Sequence, residues 1–376
     1  MRKAEIPMSV VPATFPFYRF EGTHYDIGRQ FGEACIDRIH LHLELATSRL
    51  EQKNGISRQH ALANAHRFQP YVQEVAPFFD EEIRGIAAGA HISIEEAWLL
   101  QLRAELGIIP ADDILDEPGD ECTSYAVLAP ATSDGIPMIG QNADLPAFYA
   151  QLGVVVEYVF DDMPSVLMLT PAGQVSYLGI NEKGMGAFAN YLTCDGWRVG
   201  FPRYLFSRLA LTHETVDDAI RTIDGLYRAS SRNLMLMDAH GTAADLETTP
   251  ASTGRIDPVN DLIAHANHFE HPDMLDQERA SEKYLPNTRT RSATMRRLLE
   301  ENHGRLNPEV MQGILRDRSA YPDCLCRMEE DNPEHDSMTF ASLIARPTEG
   351  EMWIAVGPPH EHQYERYAFS KVPAEA

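Results

Sequence analysis

Positive charge, cysteine and long apolar runs are all scarce in this 376-residue chain, and each shortage excludes a class of function. Only 32 basic side chains stand against 56 acidic ones, a formal charge of −24. A field of that sign disfavours nucleic acid and anionic membranes as partners. The 5 cysteines (Cys35, Cys122, Cys194, Cys324 and Cys326) form no evenly spaced framework. Reduced thiols, as in a cytoplasmic protein, are therefore expected. Cys324 and Cys326 flank a single residue, too tight for an ordinary structural disulfide or a zinc knuckle. No stretch approaches the roughly 18 uninterrupted apolar residues of a membrane span. The N-terminal Met1-Arg-Lys-Ala-Glu-Ile-Pro-Met lacks an apolar core and a small-residue cleavage site, so secretion is not expected. There is no G-x-S-x-G elbow, Walker A loop, G-x-G-x-x-G or H-E-x-x-H. Gly184-Met-Gly186 lacks the third glycine and reads as a turn into a strand.

What is present is a chain with 44% hydrophobic residues, ample for a large core. Residues 16–24 alternate as a short strand ending in a turn. From Tyr25 to about Arg103 the pattern becomes helical: Ile27, Phe31, Ile36, Ile39 and Leu43 recur at helix-like spacing. A second helical segment starts at Ser57 and a third near Phe79, with a capped piece at Ser93-Ile-Glu-Glu. Asp112, Asp113, Asp116, Glu117, Pro118, Gly119, Asp120 and Glu121 then make an acidic, breaker-rich loop, exposed and cleavable by composition.

After Cys122 the texture is that of strands, predicted at 124–128, 138–142, 154–160, 166–169, 175–180 and 185–190. Helices are predicted at 202–211 and at 215–223, the second with Thr215 as N-cap. Strands return at 233–237, 243–247 and 262–266, helices at 277–300 and 307–315, and a hairpin of 339–345 with 352–356 closes the chain. Two groups of strands with helices between them predict stacked sheets covered by helices, an α/β-type layered fold.

Cys122 lies where the helical third meets the strands. Its spacing admits two readings, a small buried apolar side chain or a nucleophile. Were the preceding bond cut, Cys122 would carry a free α-amino group beside its own thiol, so one residue would supply nucleophile and base. Such an amine has a pKa of roughly 7.7–8.0, poised to accept a proton near neutrality. Downstream, Gly140-Gln-Asn-Ala-Asp144 ends a predicted strand, with Asn142 and Asp144 on one face. The carboxylate could orient the ammonium or thiol; a turn-forming Asx pair is the plainer reading. In His265-Ala-Asn267-His268 the two histidines, read as strand residues, point to opposite faces, which argues against a zinc site; no catalytic metal is expected. Asn267 offers an amide that could donate to an oxyanion.

Taken together, these segments resemble the isopenicillin-N acyltransferase family, the acyl-coenzyme A:6-aminopenicillanic-acid acyltransferases and their bacterial relatives. The resemblance runs from Tyr25-Asp-Ile-Gly-Arg-Gln-Phe-Gly through Glu121-Cys122-Thr-Ser, Gly140-Gln-Asn-Ala-Asp144 and Asn181-Glu-Lys-Gly-Met185. It continues with Arg232-Asn-Leu-Met-Leu-Met-Asp238, Asp245-Leu-Glu-Thr-Thr-Pro250, His265-Ala-Asn-His268, Arg316-Asp-Arg, Tyr321-Pro-Asp-Cys-Leu-Cys-Arg327 and Thr339-Phe-Ala-Ser. The family belongs to the N-terminal-nucleophile hydrolases, so the resemblance implies a four-layer αββα core with a helical N-terminal segment. It also implies a zymogen that cuts itself between Glu121 and Cys122. Residues 1–121 would then form a small helical chain, held non-covalently on a catalytic chain of residues 122–376 as one integrated unit, with further dimerisation open. By position, Cys122 matches the nucleophile, Asp144 the acidic residue near its amine and Asn267 the oxyanion amide. Thr249 stands where the family has an assisting serine, Arg327 matches a pocket arginine, and Ser124 is a hydroxyl beside the nucleophile. Asn142 is placed with the supporting pocket. Two other positions depart from the pattern: Glu121 replaces the glycine of the penicillin enzymes, and Ala143 stands where an aromatic is common.

The expected function is hydrolysis of a small linear amide through an acyl-thioester on Cys122, without a cofactor. Water is always present, and the acidic chain shows no basic patch for coenzyme A phosphates. Transfer from a coenzyme A thioester, as co-substrate, to an amine is the alternative. Glu121, at the position an N-to-S acyl shift would strain, raises a second alternative, an uncleaved relative that acts as a binding protein.

Overall fold

The computed structural model describes residues 11–108, 121–331 and 337–370; the acidic stretch at 112–120 lies outside them. The chain enters through strand β1 (Phe17–Gly22) and then folds as helices: α1 (His24–Ala34), α2 (Ile36–Asn54), α3 (Arg58–Ala65), α4 (Gln69–Val75), α5 (Pro77–Ala90), α6 (Ile94–Leu100) and α7 (Arg103–Ile108). The capping residues do what their types predict. Ser57 accepts from His60 N at the start of α3, and Ser93 and Glu96 form a complete capping box on α6. Helices α1 and α5 meet backbone to backbone at glycines spaced four apart. A Cβ on Gly28 would stand 2.0 Å from the Glu82 carbonyl oxygen, and one on Gly85 would stand 2.2 Å from that of Tyr25. Only glycine permits that approach.

The strands after the helices are β2 (Glu121–Val127), β3 (Met138–Pro146), β4 (Gly153–Phe160), β5 (Val166–Pro171), β6 (Leu178–Asn181) and β7 (Gly186–Asn190). There follow β8 (Arg232–Met237), β9 (Ala243–Thr248), β10 (Thr253–Ile256), β11 (Leu262–His265), β12 (Ser337–Arg346), β13 (Glu351–Val356) and β14 (Tyr364–Ala368). The later helices are α8 (Tyr149–Leu152), α9 (Phe206–Ala210), α10 (Val216–Asp224), α11 (Leu285–Glu301) and α12 (Pro308–Leu315). One sheet runs β1-β4-β5-β6-β7-β8-β9-β10, antiparallel except for the β1–β4 pair, and the other runs β11-β2-β3-β12-β13-β14. The sheets stack through β2 and β3 on β7 and β8. Helices α11 and α12 cover the outer face of the second sheet, and α1, α9 and α10 that of the first. This is the four-layer αββα arrangement that the resemblance implies. Among the described residues no helix is long and apolar enough to cross a membrane.

Buried polar bonds tie the early helices to the first sheet. Gln101 Nε2 donates to Gly173 O at 2.7 Å, Gln174 Nε2 to Leu100 O at 2.8 Å, and His42 Nδ1 lies 2.8 Å from Ala172 O.

Three differences from the sequence reading have local causes. The predicted helix at 277–300 starts only at Leu285, where Pro286 occupies the first turn and lacks the N–H that an interior position needs. The strand predicted at 175–180 begins at Leu178, because Thr170 Oγ1 donates to Gln174 O and holds the preceding residues in a turn. The 339–345/352–356 hairpin does not close the chain: Tyr364–Ala368 adds an edge strand to β13.

Candidate active site

Strand β2 is central in the second sheet, flanked by β11 and β3. Side chains alternate along it. Ser124 faces the first sheet, its Oγ accepting from Asn190 Nδ2 of β7 at 2.9 Å. Cys122, two residues earlier, shares that face and is 2% exposed. Thr123 faces the opposite way, toward α11, where Arg291 Nη1 donates to its Oγ1 at 2.8 Å. The thiol thus looks into the space between the sheets, while its backbone is gripped from outside.

That grip comes from Asn267 and Arg291. The backbone N–H of Cys122 donates to Asn267 Oδ1 at 2.8 Å. Arg291 Nη1 donates to Cys122 O at 2.6 Å and Nη2 to Asn267 Oδ1 at 3.0 Å. Asn267 is locked in turn: its Nδ2 donates to Tyr191 O at 2.9 Å and its backbone N to Thr288 Oγ1 at 2.6 Å. An amide nitrogen carries two hydrogens, so Nδ2 keeps a second N–H for an oxyanion. Asn190 Nδ2 also bonds Ala266 O at 2.8 Å, holding the turn that delivers Asn267.

Asp144 pairs with Glu121 across the β2–β3 ladder, so its backbone lies beside the Glu121–Cys122 peptide. Its Oδ1 accepts from Thr339 Oγ1 at 2.6 Å, whereas Oδ2 is buried without a hydrogen-bond partner. Burial lifts the carboxyl to about 7, against the opposing pull of Arg291 and the Thr339 hydroxyl. A carboxyl that titrates near neutrality beside a bond proposed to open suits a group that receives a new ammonium.

The structure brings Cys122, Ser124, Asp144 and Asn267 into one region, and it places the remaining predicted residues as follows. Asn142 shares the outer face with Asp144, as the period-2 reading predicts. Its Nδ2 donates to Leu315 O and Leu325 O, both at 2.9 Å, and its Oδ1 accepts from Ser342, which makes it a staple between β3 and the segments below the sheet. Arg327 is buried. Its backbone N donates to the same Thr339 hydroxyl that holds Asp144, and burial lowers its guanidinium to about 10. Thr249 caps the β9–β10 turn, its Oγ1 accepting from Ala251 N and Ser252 N at 3.2 and 2.9 Å. None of these contacts is with Cys122, Asp144 or Asn267.

The sequence reading of the histidines needs correction. β11 ends at His265, so the chain turns and the two rings stack at 6.1 Å instead of facing apart. Behind them Asp245, Glu247 and His265 bring three potential ligand atoms within 4.8 Å of one another. His265 Nε2 lies 2.9 Å from Glu247 Oε1 and 3.7 Å from Asp245 Oδ2. Burial alone would lower its pKa, but the two carboxylates overcome burial and carry it to about 10. His268 is pushed down to about 4 by burial and by the His265 charge. One cation and one neutral imidazole thus brace the turn carrying Asn267.

Arg291 is the functional residue that the sequence reading missed. It falls on the buried stripe of α11 with Thr288, Met295 and Leu299, and a charged side chain at a stripe position was the available signal.

The model of the acyl-coenzyme A:6-aminopenicillanic acid acyl-transferase family matches residues 131–361, a stretch that contains Asp144, Thr249, Asn267 and Arg327 and begins after Cys122. The 40 kDa form of acyl-coenzyme A:6-aminopenicillanic-acid-acyltransferase from Emericella nidulans is 26% identical over 329 residues, 85% of this chain and 87% of that protein. Among solved structures, a single-residue variant of conjugated bile acid hydrolase from Clostridium perfringens aligns with a TM-score of 0.45 at 12% identity, over 68% of this chain and 99% of that one. Penicillin V acylase from Agrobacterium tumefaciens aligns with a TM-score of 0.33 at 13% identity, over 65% and 78% of the respective chains. The family match spans well over half of the sequence, and the chain belongs to the acyl-coenzyme A:6-aminopenicillanic acid acyl-transferase family, an enzyme of the hydrolase or acyltransferase kind.

Proposed function

We propose that this chain matures by cutting its own Glu121–Cys122 bond and then hydrolyses a small linear amide through an acyl-thioester on Cys122. In maturation the thiol attacks the Glu121 carbonyl, the C–N bond breaks, and the nitrogen leaves as the new α-amine of Cys122. Water then splits the thioester, leaving a carboxylate on Glu121 and restoring the thiol. In turnover the α-amine takes the thiol proton as sulfur attacks the substrate carbonyl. The Asn267 amide donates to the developing oxyanion. The ammonium returns its proton to the departing amine, and water releases the acid. Asp144 balances the charge of the ammonium in each cycle.

The observation that carries this reading is the 2.8 Å bond from the Cys122 backbone N–H to Asn267 Oδ1. It marks the nitrogen that would become the base as already held beside the thiol's own strand. Transfer to an amine is the second reading, favoured by the family match. A coenzyme A thioester would then load Cys122 in place of an amide.

The denaturing intact mass of fresh protein tests the maturation step. Two species summing to the whole chain plus one water are expected, the larger starting at Cys122. A single species at 42.1 kDa sinks the proposal and moves a binding protein to the front. Release of acid from amides, against acyl transfer from thioesters to amines, then separates the two chemistries.

Asp144 makes a pH prediction. Neutral below about 7 and ionised above, it should give a maturation rate that rises with pH through about 7 and then levels. A flat profile in the wild type would count against its role. Because its folded pKa is raised, its stabilising contribution is present below the ordinary carboxylate range and is lost as pH rises to about 7. Asp144→Asn in the Cys122→Ala precursor should therefore raise the Tm at pH 8 more than at pH 4.

A further inference from the structure

Glu247 lies near the end of β9 in the first sheet, and its fully buried carboxylate reaches the turn that follows β11 of the second sheet. Three donors converge on it. His265 Nε2 lies 2.9 Å from Oε1, the backbone N of Glu270 donates to Oε1 at 2.6 Å, and that of His271 donates to Oε2 at 3.2 Å. One carboxylate therefore holds the chain on both sides of Asn267. His265 extends the tie, because its Nδ1 lies 2.9 Å from Ala266 O, a carbonyl that also accepts from Asn190. Both ring nitrogens face acceptors, so both carry hydrogen.

The other buried partners of the turn act on one side of it. Asn190 Nδ2 reaches the carbonyls of His265 and Ala266, and Glu278 Oε2 accepts from Phe269 N at 2.9 Å. Arg296 links Ala264 O to the Glu270 carboxylate, but from the half-exposed side, where solvent weakens an ion pair. Packing fixes the far end as well. Gly254 of β10 pairs with Glu247 across the β9–β10 ladder, and a Cβ there would stand 2.7 Å from Cγ of His271. His271 thus rests on bare backbone directly beside the carboxylate that binds it.

A carboxylate offers two acceptor oxygens to these three donors, whereas a glutamine would turn an N–H₂ toward at least one of them. Hydrogen bonds to an ionised acceptor are the stronger kind, and out of water nothing replaces them. The consequence falls on Asn267, whose amide is the oxyanion donor of the proposed reaction. Such a donor works only when it is fixed where the charge develops.

We propose that Glu247 is a positioning residue for acyl transfer: by tying both ends of the His265–His271 turn, it holds the Asn267 amide on the oxygen of the reacting carbonyl. This deepens the function proposed above and rests on Cys122 being the acylated residue.

Two reactions of the same thiol separate this role from a structural one. The ester p-nitrophenyl acetate acylates Cys122 through a tetrahedral oxyanion, whereas iodoacetamide alkylates it by displacing iodide, with no oxyanion to stabilise. In mature Glu247→Gln the Cys122-dependent burst of nitrophenolate should slow by at least about tenfold, with about 10²–10³, the cost of a lost oxyanion donor, as the ceiling. Alkylation of Cys122, read by peptide mass, should keep its wild-type rate. Adding Glu247→Gln to Asn267→Ala should slow the burst little further, because both act through one amide. An unchanged burst in Glu247→Gln, a parallel fall in both rates, or full additivity with Asn267→Ala overturns the proposal. Should Glu247→Gln fail to fold or to mature, Gly254→Ala decides alone, since it displaces His271 without touching a charge. A slower burst with normal alkylation upholds the proposal there, and an unchanged burst overturns it. A wild type with no Cys122-dependent burst sinks the enzymatic reading itself, and this proposal falls with it.

Discussion

Cys122→Ala is expected to purify as one uncut chain near 42.1 kDa and to lose amide turnover entirely. In the proposed chemistry one sulfur atom attacks first the Glu121 carbonyl and later the substrate, so removing it stops both. Where a nucleophile and base act as one unit, such a loss is on the order of a millionfold in kcat. The fold should persist. Replacing the thiol by hydrogen removes one small buried group, worth about 1 kcal/mol, and the backbone bonds from Asn267 and Arg291 need no side chain at residue 122. Cys122→Ser separates the two steps further. Its weaker nucleophile should still cut, over hours, and leave a matured but nearly inactive enzyme. Intact mass and progress curves on the same samples read both effects. Two chains in the alanine variant would show that another group cleaves the bond, and the shared-nucleophile mechanism would fall.

What could be read from the sequence divides along physical lines. Strands β2 and β3 were legible because their alternation is strong and Ser133-Asp-Gly marks the turn between them. The same period of 2 correctly placed Asn142 and Asp144 on one face. Caps at Ser93 and Thr215 were legible because the side chain itself supplies the missing hydrogen bond. The histidines show the limit. Opposite faces followed from assuming a strand through residue 268, but β11 stops at His265, and a strand end is set by what the sheet can pair with. Arg291 marks the same limit: its partners Cys122, Thr123 and Asn267 lie on other elements that only the packing of α11 on the second sheet brings to it. Of the four arginines in α11 only Arg291 falls on the buried stripe, whereas Arg296 reaches Glu270 at the surface, so the stripe marks the residue but not its partners.

Arg291→Met should have the second-largest effect, and its consequences can be told apart. The guanidinium is fully buried and donates to Cys122 O, Thr123 Oγ1, Asn267 Oδ1 and Asn287 Oδ1 at 2.6 to 3.0 Å. Removing one side of such a buried charged network costs about 3–5 kcal/mol, because the acceptors left behind have no water to turn to. The Tm of the precursor should fall accordingly. Asn267 would also lose one of the two bonds on its Oδ1, so its amide would be held less firmly toward the oxyanion. A misplaced oxyanion donor costs about 10²–10³ in kcat. A third effect concerns Asp144. The Arg291 charge opposes burial in setting that carboxyl near 7. Without it burial acts alone, so the pH at which maturation turns on should move upward. Arg291→Lys keeps the charge but not the fork. It should restore the pH midpoint while leaving most of the loss in kcat. Simple unfolding cannot produce that split, because a variant that regained its folded fraction would recover turnover and midpoint together. Wild-type turnover together with an unmoved midpoint in Arg291→Met would show that the grip on the Cys122 backbone belongs to the fold alone.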